Sequence, residues 1–158
     1  MTVTSNIKWK NLLISIIIPL AVGGISSLIT MDGFKNYGSI QQPPLSPPSW
    51  LFPIVWTILY VMMGFASYLI YETKDNNNKN ALIFYSIQLA INFIWPIFFF
   101  GFDAYFFSFI LIIILLIFVI LTMISFYRIN KTAGLLLVPY LLWLIFAAYL
   151  NLGVYLLN

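Results

Sequence analysis

The sequence contains no cysteine and no histidine, and only 7% of its 158 residues are charged. Without cysteine there are no disulfides and no thiolate chemistry, and without histidine there is no imidazole metal ligand and no serine–histidine nucleophilic pair. Paired carboxylates, metal-binding clusters and glycine-rich phosphate loops are also missing. We therefore expect no metal site and no cofactor, and the sequence contains no conventional catalytic constellation.

Basic residues are equally sparse. The seven lysine and arginine residues give a net charge of +3 but form no basic patch, so nucleic acid is not an expected partner. Hydrophobic residues make up 63% of the chain, compared with roughly 45–50% in soluble domains. This composition indicates a chain that lies mostly in membrane lipid.

Five charge-free runs are long enough to cross a membrane. A hydrocarbon layer of ~30 Å takes roughly 20 helical residues, and continuous apolar runs of this length favour helices over barrel strands. We predict one domain over residues 1–158, an all-α integral membrane protein whose five transmembrane helices form a bundle with a long first extramembrane loop. The predicted spans are residues 12–31, 50–71, 81–102, 104–127 and 133–157.

The cations lie mostly on one side of these spans. The opposite side holds only Lys35, so the positive-inside rule places the N-terminus in the cytoplasm and the C-terminus outside. The first loop, residues 32–49, is then outside as well. The six cations on the cytoplasmic side are Lys8, Lys10, Lys74, Lys79, Arg128 and Lys131.

The first loop is long and carries four prolines. Proline fixes its own φ and pushes the preceding residue toward extended geometry, so the loop should be a stiff strap. Long ordered loops among short ones are usually functional. We interpret this loop as a lid over a site, and the alternative of a plain stiff connector stays open.

No predicted span contains a charged residue, which argues against a proton-coupled transporter, a pump or an ion channel. The spans instead carry aromatic and polar residues at helical spacing. Successive i+4 steps advance only ~40° around a helix, so residues four apart form one stripe. Such stripes contain Trp56 and Tyr60 on the second span, Gln88, Asn92 and Trp95 on the third, and Trp143, Ala147 and Asn151 on the fifth.

Trp56 and Trp143 lie deeper than the headgroup belt in which tryptophan usually sits. We therefore predict an aromatic-walled cavity in the outer half of the bundle, with Trp95 in its wall and Asn92 as its polar group. Two alternatives stay open. The aromatic residues could face lipid or neighbouring helices, and Asn92 and Gln88 could form interhelical hydrogen bonds.

Three segments resemble one known family. They are "PPSWLFPIVWTILYVMMG" (47–64), "NFIWPIFFF" (92–100) and "VPYLLWLIFAAYLN" (138–151). In this order, with five spans and a long first loop, the chain resembles the translocator protein / tryptophan-rich sensory protein family (TspO/MBR, which includes the peripheral benzodiazepine receptor). The similarity covers essentially the whole chain and suggests a bacterial member, located in the cell membrane.

The resemblance implies a ligand pocket between the helices that opens toward the first loop. Its implied ligands are porphyrins such as protoporphyrin IX and drug-like isoquinolines and benzodiazepines. A homodimer is a further implied partner, since dimers are common in the family. By position in the matching motifs, the pocket is lined by Trp56, Asn92, Trp143 and Ala147, with Tyr37, Pro47 and Tyr60 as neighbours.

The resemblance leaves three functions open. The chain could be a porphyrin receptor that also promotes light- and oxygen-dependent porphyrin degradation, a porphyrin-degrading enzyme proper, or a passive porphyrin carrier. For degradation, Trp56 and Trp143 are the candidate catalytic residues. Animal relatives carry a sterol-recognition pattern that ends in a basic residue. No such residue follows Tyr149 or Tyr155 here, so the resemblance does not extend to sterol binding at this place.

Overall fold

The computed structural model describes residues 6–158, which form a bundle of helices without a β-strand. Five helical segments are long and apolar enough to cross a membrane, which confirms the predicted five-helix bundle. The α-helices are α1 (Trp9–Ile29), α2 (Met31–Asn36), α3 (Leu51–Glu72), α4 (Asn78–Pro96), α5 (Tyr105–Ile129), α6 (Lys131–Leu136) and α7 (Val138–Leu157).

The helix ends differ from the predicted spans by a few residues. Helix α1 begins at Trp9, three residues before the predicted span, and so includes Lys10. A lysine tolerates this position because its long stem can lie along apolar surface while the ammonium group stays in water. The charge-free run therefore underestimates the length of the helix.

Prolines interrupt two of the long helices. Pro96 ends α4, and residues Ile97–Gly101 continue it as one π-helical turn, in which Phe102 N–H bonds to the Ile97 carbonyl at 3.1 Å. The fifth span, predicted as continuous, breaks at Leu137, just before Pro139 at the start of α7. Proline has no N–H for the helical hydrogen bond and its ring clashes with the preceding turn, which accounts for both interruptions.

The first loop is partly helical. Helix α2 occupies its beginning and is followed by a 3₁₀ turn, Tyr37–Ser39. Only residues 40–50, hereafter the strap, lack regular structure apart from tight turns. Within the strap, Leu45 adopts φ 70°, a left-handed conformation that is uncommon for residues other than glycine.

The start of α1 and the end of α3 meet at one end of the bundle. The Lys8 ammonium lies 2.8 Å from the Glu72 carboxylate, and Asn11 Nδ2 donates to the same carboxylate at 2.6 Å. Hydrogen bonding to Glu72 raises the pKa of Lys8. We call this the basic end and the opposite one the strap end.

Helices α1 and α3 are antiparallel neighbours and touch closely at two levels. A Cβ placed on Gly64 would lie 2.5 Å from Ile16 Cα, and one placed on Gly23 would lie 2.1 Å from Tyr60 Cε2. Small residues allow such close approach, which is a principal source of helix association in membranes. These two contacts fix α1 against α3 through the middle of the bundle.

Candidate ligand cavity

A cavity of about 300 Å³ lies in the strap half of the bundle, between α1, α3, α4 and α7. Its volume is at the lower end of the range of roughly 300–1,000 Å³ that is typical of small-molecule sites. Pro47 does not line the cavity. The other seven residues predicted to bind ligand all contribute to its wall: Tyr37, Trp56, Tyr60, Asn92, Trp95, Trp143 and Ala147.

A cluster of aromatic rings, hereafter the roof, closes the cavity toward the strap end. The Tyr37 ring lies 5.8 Å from Phe52, 6.0 Å from Phe99 and 5.6 Å from Phe100, measured between ring centroids. Phe34 completes the roof through an edge-to-face contact with Phe100 at 5.4 Å. Such pairs contribute about 0.5–1.5 kcal/mol each beyond the area they bury.

The four phenylalanines of the roof were missed in the sequence. Phe52 precedes Trp56 by four residues and so lies on the same stripe, which was a usable signal. Phe99 and Phe100 belong to a run of three phenylalanines, in which spacing alone does not distinguish the residues that face inward. Phe34 had no recognisable signal, because it belongs to the unpredicted helix α2.

Tyr37 is among the most enclosed members of the roof, with 4% of its surface exposed. Burial raises the pKa of its phenol above the ordinary value, which is already near 10. The phenol therefore stays protonated at neutral pH, and the roof carries no charge there.

The two candidate catalytic tryptophans lie in this one cavity. The Trp56 ring stacks on Tyr60 at 5.6 Å, and the Trp143 ring meets Phe52 edge-on at 5.9 Å. The indole N–H of Trp143 is buried and has no hydrogen-bond acceptor within the described residues. An unpaired buried donor costs about 1–3 kcal/mol. The nitrogen is buried even in the ligand-free protein, so Trp143 presents the face of its indole ring to the cavity.

A chain of buried hydrogen bonds starts at the cavity and connects three helices. The Tyr60 hydroxyl donates to Asn92 Oδ1 at 2.6 Å, and Asn92 Nδ2 donates to the Tyr140 hydroxyl at 2.7 Å. Tyr140 in turn donates to Gln88 Oε1 at 2.8 Å. Asn92 thus lines the cavity and also forms the interhelical hydrogen bonds that the sequence offered as the alternative. The part played by Tyr140 was not predicted.

Replacing Asn92 with leucine should lower the free energy of unfolding by about 1–2 kcal/mol, because the buried Tyr60 hydroxyl loses its acceptor. The effect can be measured by unfolding the protein with sodium dodecyl sulfate in mixed micelles. Ser86→Ala on the lipid-exposed face of the same helix is the matched control, since it removes one hydroxyl that bonds only within α4. Equal stability of Asn92→Leu and Ser86→Ala would contradict the prediction.

The strap is tied to the end of α7. The Tyr149 hydroxyl donates to the Pro44 carbonyl at 2.6 Å. The Asn158 side chain accepts from Gln41 N–H at 3.2 Å and donates to the Gln41 carbonyl at 2.8 Å. No residue of the strap itself lines the cavity. The strap therefore lies over α7, while the roof beneath it closes the cavity.

Comparison with known proteins identifies the family to which the chain belongs. The model of the TspO/MBR family matches residues 15–156, which include every helical wall of the cavity. The chain belongs to the TspO/MBR family. Together with the five apolar helices, this membership establishes an integral membrane protein.

Similar TspO/MBR proteins come from bacteria, archaea and animals. The chain is 42% identical over 142 residues to the tryptophan-rich protein TspO of Chlorobaculum tepidum, covering 88% of this chain and 90% of that one. It is 39% identical to the protein of the same name from Archaeoglobus fulgidus, with 93% and 96% covered. With the human translocator protein it shares 32% identity, and the match covers 80% of this chain and 76% of that protein. These matches support a ligand-binding or receptor role in the membrane.

Proposed function

We propose that this protein is a membrane receptor that binds flat, hydrophobic tetrapyrroles such as protoporphyrin IX. The observation that carries the proposal is a cavity walled by aromatic rings, with the indoles of Trp56 and Trp143 among them. Flat aromatic walls suit the π face of a tetrapyrrole.

The test is a titration of the purified protein with protoporphyrin IX in darkness, in which the quenching of tryptophan fluorescence reports binding. We expect saturable binding that weakens by about 3- to 10-fold in Trp143→Phe, because the smaller ring offers the ligand less aromatic surface, a loss of about 1 kcal/mol. Trp9→Phe is the matched control, since Trp9 is exposed at the basic end. Absence of saturable binding by the parent protein would refute the receptor function.

A second candidate function is the oxidation of bound porphyrin by dioxygen under light. It is favoured by the presence of Trp56 and Trp143 in one cavity. When the excited porphyrin gives an electron to dioxygen, superoxide and a porphyrin radical cation form, and the electron-rich indole rings beside the porphyrin can stabilise that cation. Repeating the titration under light with dioxygen should then give a new absorption band. Loss of that band in Trp56→Phe and Trp143→Phe, at porphyrin concentrations that saturate each variant, would make the two indoles chemical participants. A band of the same size in the parent and in both variants would show that the two tryptophans only line the cavity.

We also propose that the protein lies in the cell membrane with its basic end in the cytoplasm. The distribution of lysine and arginine supports this orientation, and the pairing of Lys8 with Glu72 brings the ends of two helices together there. Because the chain has no cysteine, single-cysteine variants report the orientation without background labelling. In intact cells a membrane-impermeant thiol reagent should label Ser39→Cys and leave Lys74→Cys unlabelled; the reverse pattern would contradict the orientation.

A further inference from the structure

We propose that the cavity takes up its ligand sideways from the lipid, through a seam between α1 and α3, and not through the strap end. This inference rests on the proposed function, since it names the route by which that ligand reaches the cavity. It further implies that the ligand is recruited from the pool dissolved in the membrane.

The seam is where the cavity wall is exposed on the outside of the bundle. Wall residues that α4 and α7 contribute, such as Asn92 and Ala147, are mostly buried. Those between α1 and α3 line the cavity and are exposed at the same time, so the cavity reaches the lipid-facing surface there. The seam consists of Gly24, Ser27 and Met31 on one side and Pro53 and Thr57 on the other.

The seam is uncharged and lies between two helices that are long and apolar enough to cross a membrane. A Cβ placed on Gly24 would meet nothing within 4 Å, so the space beside it is open. The Thr57 hydroxyl donates to the Pro53 carbonyl of its own helix at 2.7 Å and is therefore already paired. At a 1.5 Å rise, Gly24 and Thr57 lie about 8–9 Å from the strap-side ends of their helices. A flat apolar molecule can pass such a seam without meeting a charge.

The lower edge of the seam is fixed. Ile16 is in backbone contact with Gly64, and Gly23 is in contact with the Tyr60 ring, both on the side of the seam toward the basic end. The two helices are thus locked together below the seam, which confines the opening to the strap half.

The strap end is closed much more firmly. Tyr37 is almost fully buried in the roof, and above it the strap is held by the bond from Tyr149 to Pro44. A Cβ on Gly153 would lie 2.4 Å from the Pro43 ring, so the strap rests directly on α7. Entry from this end would have to separate the rings of the roof, whereas entry through the seam leaves them in place.

The charges at the strap end also disfavour entry of an anionic ligand from that end. Asp32 and Asp103 are both exposed there, close to the roof, where they line a second, more polar pocket. Lys35, the single cation at this end, lies 3.8 Å from Asp32. A ligand that carries carboxylates would therefore meet negative charge on the aqueous route.

The test compares one substitution at two glycines that both have open space beside them. Gly24 lies in the seam, and Gly38 lies in the 3₁₀ turn at the strap end. The proteins are reconstituted into phosphatidylcholine vesicles, and the association of protoporphyrin IX is followed by stopped-flow fluorescence in the range where the rate rises with ligand. Dissociation is measured by displacement with excess competitor.

We expect Gly24→Phe to slow association and dissociation together by about 10-fold, because a blocked route raises one barrier, equivalent to about 1.4 kcal/mol, in both directions. Gly38→Phe should match the parent in both rates, because Gly38 does not line the cavity. Unchanged rates in Gly24→Phe, or slowing confined to Gly38→Phe, would overturn the seam. A loss of affinity caused by faster dissociation alone would also overturn the seam, because Gly24 would then line the cavity without lying on the entry route.

A second measurement needs no ligand and separates this inference from the proposed function. In a protein that retains Trp56 as its single tryptophan, lipids with brominated acyl chains should quench the fluorescence, and Gly24→Phe should reduce that quenching. If aqueous acrylamide quenches Trp56 strongly and brominated lipid does not, the seam is refuted, whatever the porphyrin titration shows.

Discussion

Replacing Ala147 with phenylalanine should abolish ligand binding and leave the bundle folded. Ala147 lies one turn from Trp143 on α7, lines the cavity and has only 6% of its surface exposed. A phenyl ring at this position occupies space that the ligand needs, and the cavity can hold the ring without displacing a neighbouring helix. We expect a loss of affinity of at least about 100-fold, or about 2.7 kcal/mol.

The measurement is the protoporphyrin IX titration in darkness, combined with a thermal unfolding curve followed by circular dichroism. Ala90→Phe is the matched control, because Ala90 is exposed on α4 and does not line the cavity. Ala147→Phe protein that binds as tightly as Ala90→Phe would place the ligand elsewhere. A collapse of the thermal transition in Ala147→Phe alone would show that the space is not available to a side chain.

Replacing Gly64 with leucine should lower the free energy of unfolding by about 3 kcal/mol. The atoms that a Cβ would meet are Ile16 Cα at 2.5 Å and the Ser15 carbonyl oxygen at 2.7 Å. Both belong to the backbone, so no side-chain rotation can relieve the clash. Helices α1 and α3 would have to separate, and the close packing that holds them together in lipid would be lost.

Unfolding with sodium dodecyl sulfate in mixed micelles measures this difference. Gly24→Leu is the matched control on the same helix pair, because a Cβ there meets nothing within 4 Å. If the two leucine variants were equally stable, the close contact at Gly64 would contribute nothing to the stability of the fold.

The five spans could be predicted from the sequence because length and hydrophobicity alone decide whether a helix can cross lipid. Interruptions within the helices depend on more local factors. Pro139 lies just after the break at Leu137. A proline can also be accommodated inside a transmembrane helix, so its presence alone did not predict an interruption. Helix α2 was missed because it is only six residues long and lies outside the spans.

The cavity was predictable where residues follow helical spacing and not where the chain folds back on itself. Trp56, Asn92 and Ala147 belong to stripes or to motifs of the family, and these features identified three walls. Pro47 was expected beside them, but the strap rests on the end of α7 and does not reach the cavity. That placement depends on bonds across more than a hundred residues, such as the one from Tyr149 to Pro44, and no local pattern encodes them.

The contact between Gly23 and the Tyr60 ring also gives the strap-side end of α1 a fulcrum. Ser27 lies four residues beyond Gly23, or about 6 Å along the helix, so a bend of about 5° at that contact would move Ser27 by about 0.5 Å. Transmembrane helices respond to the thickness of the surrounding bilayer by changing their tilt. The lever formed by α1 therefore links the width of the seam to bilayer thickness, so the lipid around the protein would help to set the rate at which its cavity fills.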